Sequence, residues 1–200
     1  MDLFLNSSSP FARLARVVAI EKGLIDRIEL VWCDPWNNDA NLLAHHPQAR
    51  IPVLVTEEGH AIAESLLIAH YLDGLSPATP VVPHAHASAV LARTSVAYGV
   101  MEAAFKLVIA RKNEGGAAAD ASVMGQRRLA AIARALTLWE QQVPQPLDGA
   151  ITLDQIACAV ALSYVQFRLP ALLPDTSYPQ LCQWLAQAAQ RESLASTRFA

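Results

Sequence analysis

Residues 75–88, LSPATPVVPHAHAS, split the chain into halves that obey different hydrophobic periods. Each of the three prolines fixes φ and lacks an N–H, so the stretch extends neither a helix nor a sheet ladder and reads as a connector. Before it, short alternating runs at residues 3–5, 28–32, 51–55 and 61–62 predict strands. Between and after them, residues 10–22, 39–44 and 64–72 predict helices. In the first helix Phe11, Leu14, Val17 and Val18 share a stripe with Ile20 beside it. Pro10 opens that helix and Gly23 follows it, the usual asymmetric end marks. After the break only helical spacing remains, at residues 88–111, 121–143, 152–168 and 179–191. Gly115-Gly116 separates the first two of these, and Pro144 and Pro146 end the second. The predicted architecture is a small α+β domain, β-α-β-α-β-β-α, over residues 1–75. A linker at 76–87 and an all-α domain over 88–200 follow.

The small domain has too few strands for a nucleotide-binding sheet, and no glycine-rich phosphate loop follows its first strand. With 53% hydrophobic and 16% charged residues, the chain has apolar surface for a core and for a subunit interface. A net charge of -3 points to neither nucleic acid nor anionic lipid as a partner. The apolar run from Ile156 to Val165 is too short to span a bilayer. The start, Met1-Asp2-Leu3-Phe4-Leu5, is acidic and its apolar run stops at Asn6, so no secretory signal is expected and a cytoplasmic location is. Cys33, Cys158 and Cys182 form no CxxC or zinc spacing and read as buried free thiols. His45-His46 and His84-Ala85-His86 lack a third ligand, and no metal is expected.

Three stretches, taken in order, carry a family likeness. The first is Ser9-Pro10-Phe11-Ala12-Arg13, running on to Glu21-Lys22-Gly23-Leu24. The second is His46-Pro47-Gln48-Ala49-Arg50-Ile51-Pro52-Val53-Leu54, followed by Glu64-Ser65. The third is Ile151-Thr152-Leu153-Asp154-Gln155-Ile156, a helix start with a possible capping box and hydrophobic staple. With the tail from Tyr178 to Trp184 and Arg191-Glu192-Ser193, the chain resembles a bacterial, serine-type glutathione S-transferase almost throughout. Two positions depart from the family pattern: His46 stands where Asn is usual, and Gln155 where Asp is usual. The resemblance implies a thioredoxin-like first domain, a helical second domain, a homodimer, and glutathione as co-substrate.

The chemistry such a protein needs is the ionisation of a weak acid. A free cysteine thiol has a pKa of about 8.5. Lowering it by about two units takes about 2.7 kcal/mol of preference for the thiolate. A hydrogen bond to a charged group supplies about 1.5–3 kcal/mol, and a helix N-terminus about 0.3–1 kcal/mol. From the residues alone Ser9 is a helix cap; the resemblance makes it the catalytic hydroxyl, with Ser7 and Ser8 as fallbacks. Serine cannot carry out the thiol–disulfide exchange that cysteine performs at this place in related families. The resemblance also makes Ile51-Pro52 a cis-proline pair offering its backbone to the cysteinyl part of glutathione. Ser65 and its helix start would then take the γ-glutamyl carboxylate, Glu64 the ammonium, and Arg50 the glycine carboxylate. Read without it, these are an edge-strand proline, a polar helix start and a solvated charge. Trp36 either walls the site or packs.

On the helix at 88–111, Tyr98, Met101, Glu102 and Phe105 follow i, i+3, i+4, i+7 spacing. The resemblance places a pocket for a small apolar electrophile between the domains, lined by Phe11, Tyr98, Met101 and Phe105; spacing alone makes the apolar members core. The function expected is conjugation of glutathione to such electrophiles. Two alternatives stay open: another glutathione-dependent enzyme (isomerase, dehalogenase or peroxidase), or a non-catalytic binding or regulatory protein of the same fold.

Overall fold

The computed structural model describes residues 1–200. Its first domain comprises β1 (Asp2–Leu5), α1 (Pro10–Glu21), β2 (Glu29–Trp32), α2 (Ala40–His45), β3 (Val53–Val55), β4 (Ala61–Ala63) and α3 (Ser65–Leu75). The sheet order is β2-β1-β3-β4, with β1 parallel to β2 and antiparallel to β3, and β3 antiparallel to β4. Strand β1 carries the sheet's two-sidedness. Leu3 belongs to the main core, while Phe4 packs with Leu42, Val53 and Val55 on the opposite face. Such alternation buries both faces of a short strand. The expected strand at 51–55 is shorter, because Pro52 has no N–H to donate. Gly59, at φ 83, makes the turn between β3 and β4.

The second domain is helical: α4 (Ala87–Glu114), α5 (Gly116–Ala121), α6 (Val123–Gln141), α7 (Leu153–Arg168), α8 (Pro179–Ala188) and α9 (Glu192–Ala195). Two expectations are corrected here. Gly116 opens a short helix and is no spacer. The single helix expected at 121–143 starts afresh after Ser122, whose hydroxyl caps α6 by accepting from the Gly125 N–H at 2.9 Å. The capping box at the start of α7 is present, and Gln155 explains its own departure from the family pattern. Its Oε1 accepts from the Thr152 N–H at 2.9 Å while its Nε2 donates to the carbonyls of Gln145 and Pro146. An aspartate has no such donor.

One continuous core runs through both domains, from Leu14, Val17 and Val18 of α1 and Ile68 and Leu72 of α3 into Leu107, Ile132, Leu136 and the buried length of α7. The segment between the domains is tied down. Lys22 Nζ donates to Asp73 Oδ1 at 2.7 Å and to the Thr79 carbonyl at 2.6 Å. The Val81 N–H donates to Asp73 Oδ1 at 2.9 Å, and the Val81 carbonyl accepts from the Leu153 N–H at 2.8 Å. Of the three free cysteines only Cys158 is buried; Cys33 and Cys182 are partly open, a correction to the reading of all three as buried. Desolvation raises each thiol, Cys182 to about 11 with Asp175 contributing, so none is a ready thiolate near neutral pH. No helix is long and apolar enough to cross a membrane.

Candidate functional site

The loop from β1 to α1 is organised by Asn6. Its Oδ1 accepts from the backbone N–H groups of Ser8 at 3.2 Å and Ser9 at 2.8 Å. That places Ser9 in extended conformation as the N-cap of α1, with its Oγ accepting from the Ala12 N–H at 3.2 Å. Capping uses an oxygen lone pair and leaves the Ser9 O–H proton available to donate. The three serines are thereby distinguished. Ser7 Oγ donates to the Ala200 carbonyl at 3.1 Å, which occupies its proton. Ser8 lends its backbone to the Asn6 turn, and its side chain is bonded to nothing.

Strands β3 and β4 bring two separate stretches to one place. Arg50, Ile51 and Pro52 enter β3, while Ala63, Glu64 and Ser65 lead out of β4 into α3; with Phe11 they line a single recess. The Ile51–Pro52 peptide bond is cis. Glu64, the residue before α3, sits at φ 68, where a non-glycine residue is strained. All five residues assigned to glutathione therefore meet, but two of them hold each other: Arg50 Nη1 lies 3.0 Å from Glu64 Oε1 in an exposed ion pair. Ser65 is fully covered, and its hydroxyl is bonded to the Tyr98 hydroxyl at 3.2 Å. Ser9 does not line this recess; Phe11, two residues further along α1, does.

The four residues assigned to the electrophile pocket separate. Phe11 meets Tyr98 with ring centroids 5.2 Å apart and Phe105 at 5.9 Å, so three of them form one partly buried aromatic cluster. Met101 does not belong to it. It is 0% exposed inside the core, because its side of the helix faces inward while Tyr98, Glu102 and Phe105 lie along the margin. Trp36, 63% exposed, is not part of the recess. No group of three or more His, Cys, Asp or Glu comes together to hold a metal.

Sequence reasoning missed two features near the serine loop. Tyr98, read as an apolar wall, reaches Ser65 with its hydroxyl. Arg13, one turn into α1, is buried and faces neutral oxygens only: Nη2 donates to the Leu194 carbonyl at 3.1 Å and Nε to Thr197 Oγ1 at 3.3 Å. Its guanidinium also lies 4.5 Å from the Phe199 ring centroid. Burial, and then Arg198 and Arg16, push its pKa down to about 10, which leaves it charged at neutral pH. The family likeness includes Arg13 in its first stretch, but nothing local shows that it is buried, because its partners lie more than 180 residues away.

A four-stranded mixed sheet with flanking helices, joined through one core to a helical domain and carrying a polar recess at the β3–β4–α3 corner, defines a two-domain protein of the glutathione transferase fold. The family model described as "Glutathione S-transferase, N-terminal domain" matches residues 8–75. The uncharacterized GST-like protein YibF of Escherichia coli K12 is 30% identical over 98% of both chains. A glutathione transferase family member from Pseudomonas fluorescens Pf-5, solved with bound glutathione, superposes with a TM-score of 0.90 at 28% identity, covering 100% of this chain and 98% of its own. A glutathione S-transferase from Methylobacillus flagellatus KT, solved with glutathione, gives 0.83 at 28% identity, covering 100% and 99%. The chain belongs to the glutathione S-transferase family.

Proposed function

We propose that this chain binds glutathione in the recess and conjugates its thiolate to small apolar electrophiles. The observation that carries the reading is the meeting of Arg50, Ile51, Pro52, Glu64 and Ser65 in one recess with Phe11 of α1, the helix capped by Ser9. The Ser9 O–H, free of its capping duty, donates to the sulfur, and the positive end of α1 adds to the preference for thiolate. Glutathione supplies its own charges to Arg50 and Glu64. Their mutual pair is exposed, and such pairs are worth about 0–1 kcal/mol, so parting them costs little. The aromatic cluster of Phe11, Tyr98 and Phe105 supplies an apolar wall for the second substrate. Two related proteins solved with bound glutathione support the choice of tripeptide.

The deciding experiment is an ultraviolet difference spectrum of bound glutathione across pH. Wild type is expected to show thiolate near neutral pH, and Ser9→Ala to return the thiol toward about 8.5. A thiolate signal unchanged in Ser9→Ala removes the serine from the mechanism. A wild type that is not retained on immobilised glutathione and conjugates no model electrophile removes the enzyme reading altogether.

A further inference from the structure

We infer that Tyr98 is a positioning residue: its hydroxyl directs the proton of the covered Ser65 hydroxyl into the recess that Ser65 lines, toward the γ-glutamyl carboxylate of glutathione. The inference rests on the assignment of that carboxylate to Ser65 given above.

A serine hydroxyl owns one proton and two lone pairs. In the structure Ser65 Oγ and Tyr98 Oη lie 3.2 Å apart, and this is the only bond the Ser65 side chain makes. Either oxygen can donate. If Ser65 gives its proton to Tyr98, nothing remains for an anion. Should Tyr98 be the donor, Ser65 has its oxygen satisfied and its proton free, and an incoming carboxylate selects that arrangement. The resulting chain, Tyr98 O–H to Ser65 Oγ–H to carboxylate, strengthens along its length because each bond polarises the next. Tyr98 is suited to the donor end. Desolvation holds the phenol above its usual value, despite the opposing bond to Ser65, so it stays protonated at neutral pH.

The ring is held in place independently of the hydroxyl. It packs against Phe11 at 5.2 Å, tilted by 55°. Ser65 opens α3 of the first domain and Tyr98 sits in α4 of the second, 33 residues on. The carboxylate subsite is thus completed by the helical domain, although Glu64 and Ser65, the residues assigned to that end of the ligand, belong to the first.

Tyr98→Phe removes the hydroxyl and keeps the ring. Calorimetric Kd values for glutathione, and for its analogue lacking the γ-glutamyl α-carboxylate, test the idea. The loss of one neutral hydrogen bond is expected to weaken glutathione binding about three- to tenfold. Binding of the analogue is expected to stay unchanged, as is the pH midpoint of the bound thiol. In a Ser65→Ala background the tyrosine substitution is expected to have no further effect. Weaker binding in Ser65→Ala with none in Tyr98→Phe overturns the inference and leaves the Ser65 assignment standing. An equal loss from Tyr98→Phe in both backgrounds overturns it too, since Tyr98 then touches the ligand directly. No change in Ser65→Ala overturns the carboxylate assignment itself, and the inference with it.

Discussion

Met101 and Phe105 stand four apart on α4, yet one is sealed in the core and the other belongs to the aromatic cluster beside the recess. Spacing alone cannot separate them, because a helix presents a continuous circumference and only its neighbours decide where core ends. The difference is measurable. Met101→Ala is expected to cost about 2–5 kcal/mol in denaturant unfolding, the range for a buried side chain leaving a cavity. It is expected to leave the Kd for glutathione unchanged; a large loss of electrophile turnover with unchanged stability returns Met101 to the pocket. Ser9 was legible for the opposite reason. A serine before Pro10 and an apolar stripe is a cap signal contained within a few residues, and the structure keeps it local, with Asn6 and Ala12 as its partners. Ser65 was legible as a helix start but not as the partner of Tyr98. That bond spans a domain boundary.

Among the elements, α1 does most to join the molecule, and Glu21 near its end shows how. Arg191 reaches Glu21 with two nitrogens, each at 2.6 Å, and also binds the Leu147 and Gly149 carbonyls, while the Ser193 hydroxyl donates to the same carboxylate. Desolvation alone would raise the Glu21 pKa, but the bonds from Arg191 and Ser193 outweigh it and hold the group below its usual value. A carboxylate depressed on folding adds stability that is fully present above its unfolded pKa, about 4.3, and fades as pH falls through the lower folded value. Glu21→Gln is therefore expected to lower stability near neutral pH and to flatten the loss of stability below about pH 4.3. Thermal melts of both proteins from neutral to acid pH check this; parallel curves would exclude Glu21 as an acid-sensitive tie. The likeness that matched Arg191-Glu192-Ser193 to the family placed this segment in sequence without revealing what it binds.

At the scale of the molecule, a broad groove of ≈ 1040 Å³ runs between α3 and the start of α4, with Leu67 58% and Leu91 51% exposed along it. The homodimer that the family resemblance implies would cover such a face, since exposed apolar patches of this kind mark association sites. Leu91→Glu is expected to halve the sedimenting mass from about twice 21.6 kDa to 21.6 kDa. A wild type that sediments as a monomer excludes the dimer. By itself the sequence determined the order of strands and helices in the first domain, the proline break, the cap at Ser9 and the family to which the chain belongs. Those are matters of period, punctuation and short motifs, and each is written in neighbouring residues. Only the tertiary structure decided that the connector is pinned by Lys22 and Asp73, that Arg50 and Glu64 pair, that Met101 is core, and that the Tyr98 and Ser65 hydroxyls meet. Each of these depends on which side chains distant in the chain come within reach, and that is fixed by packing both domains around one core.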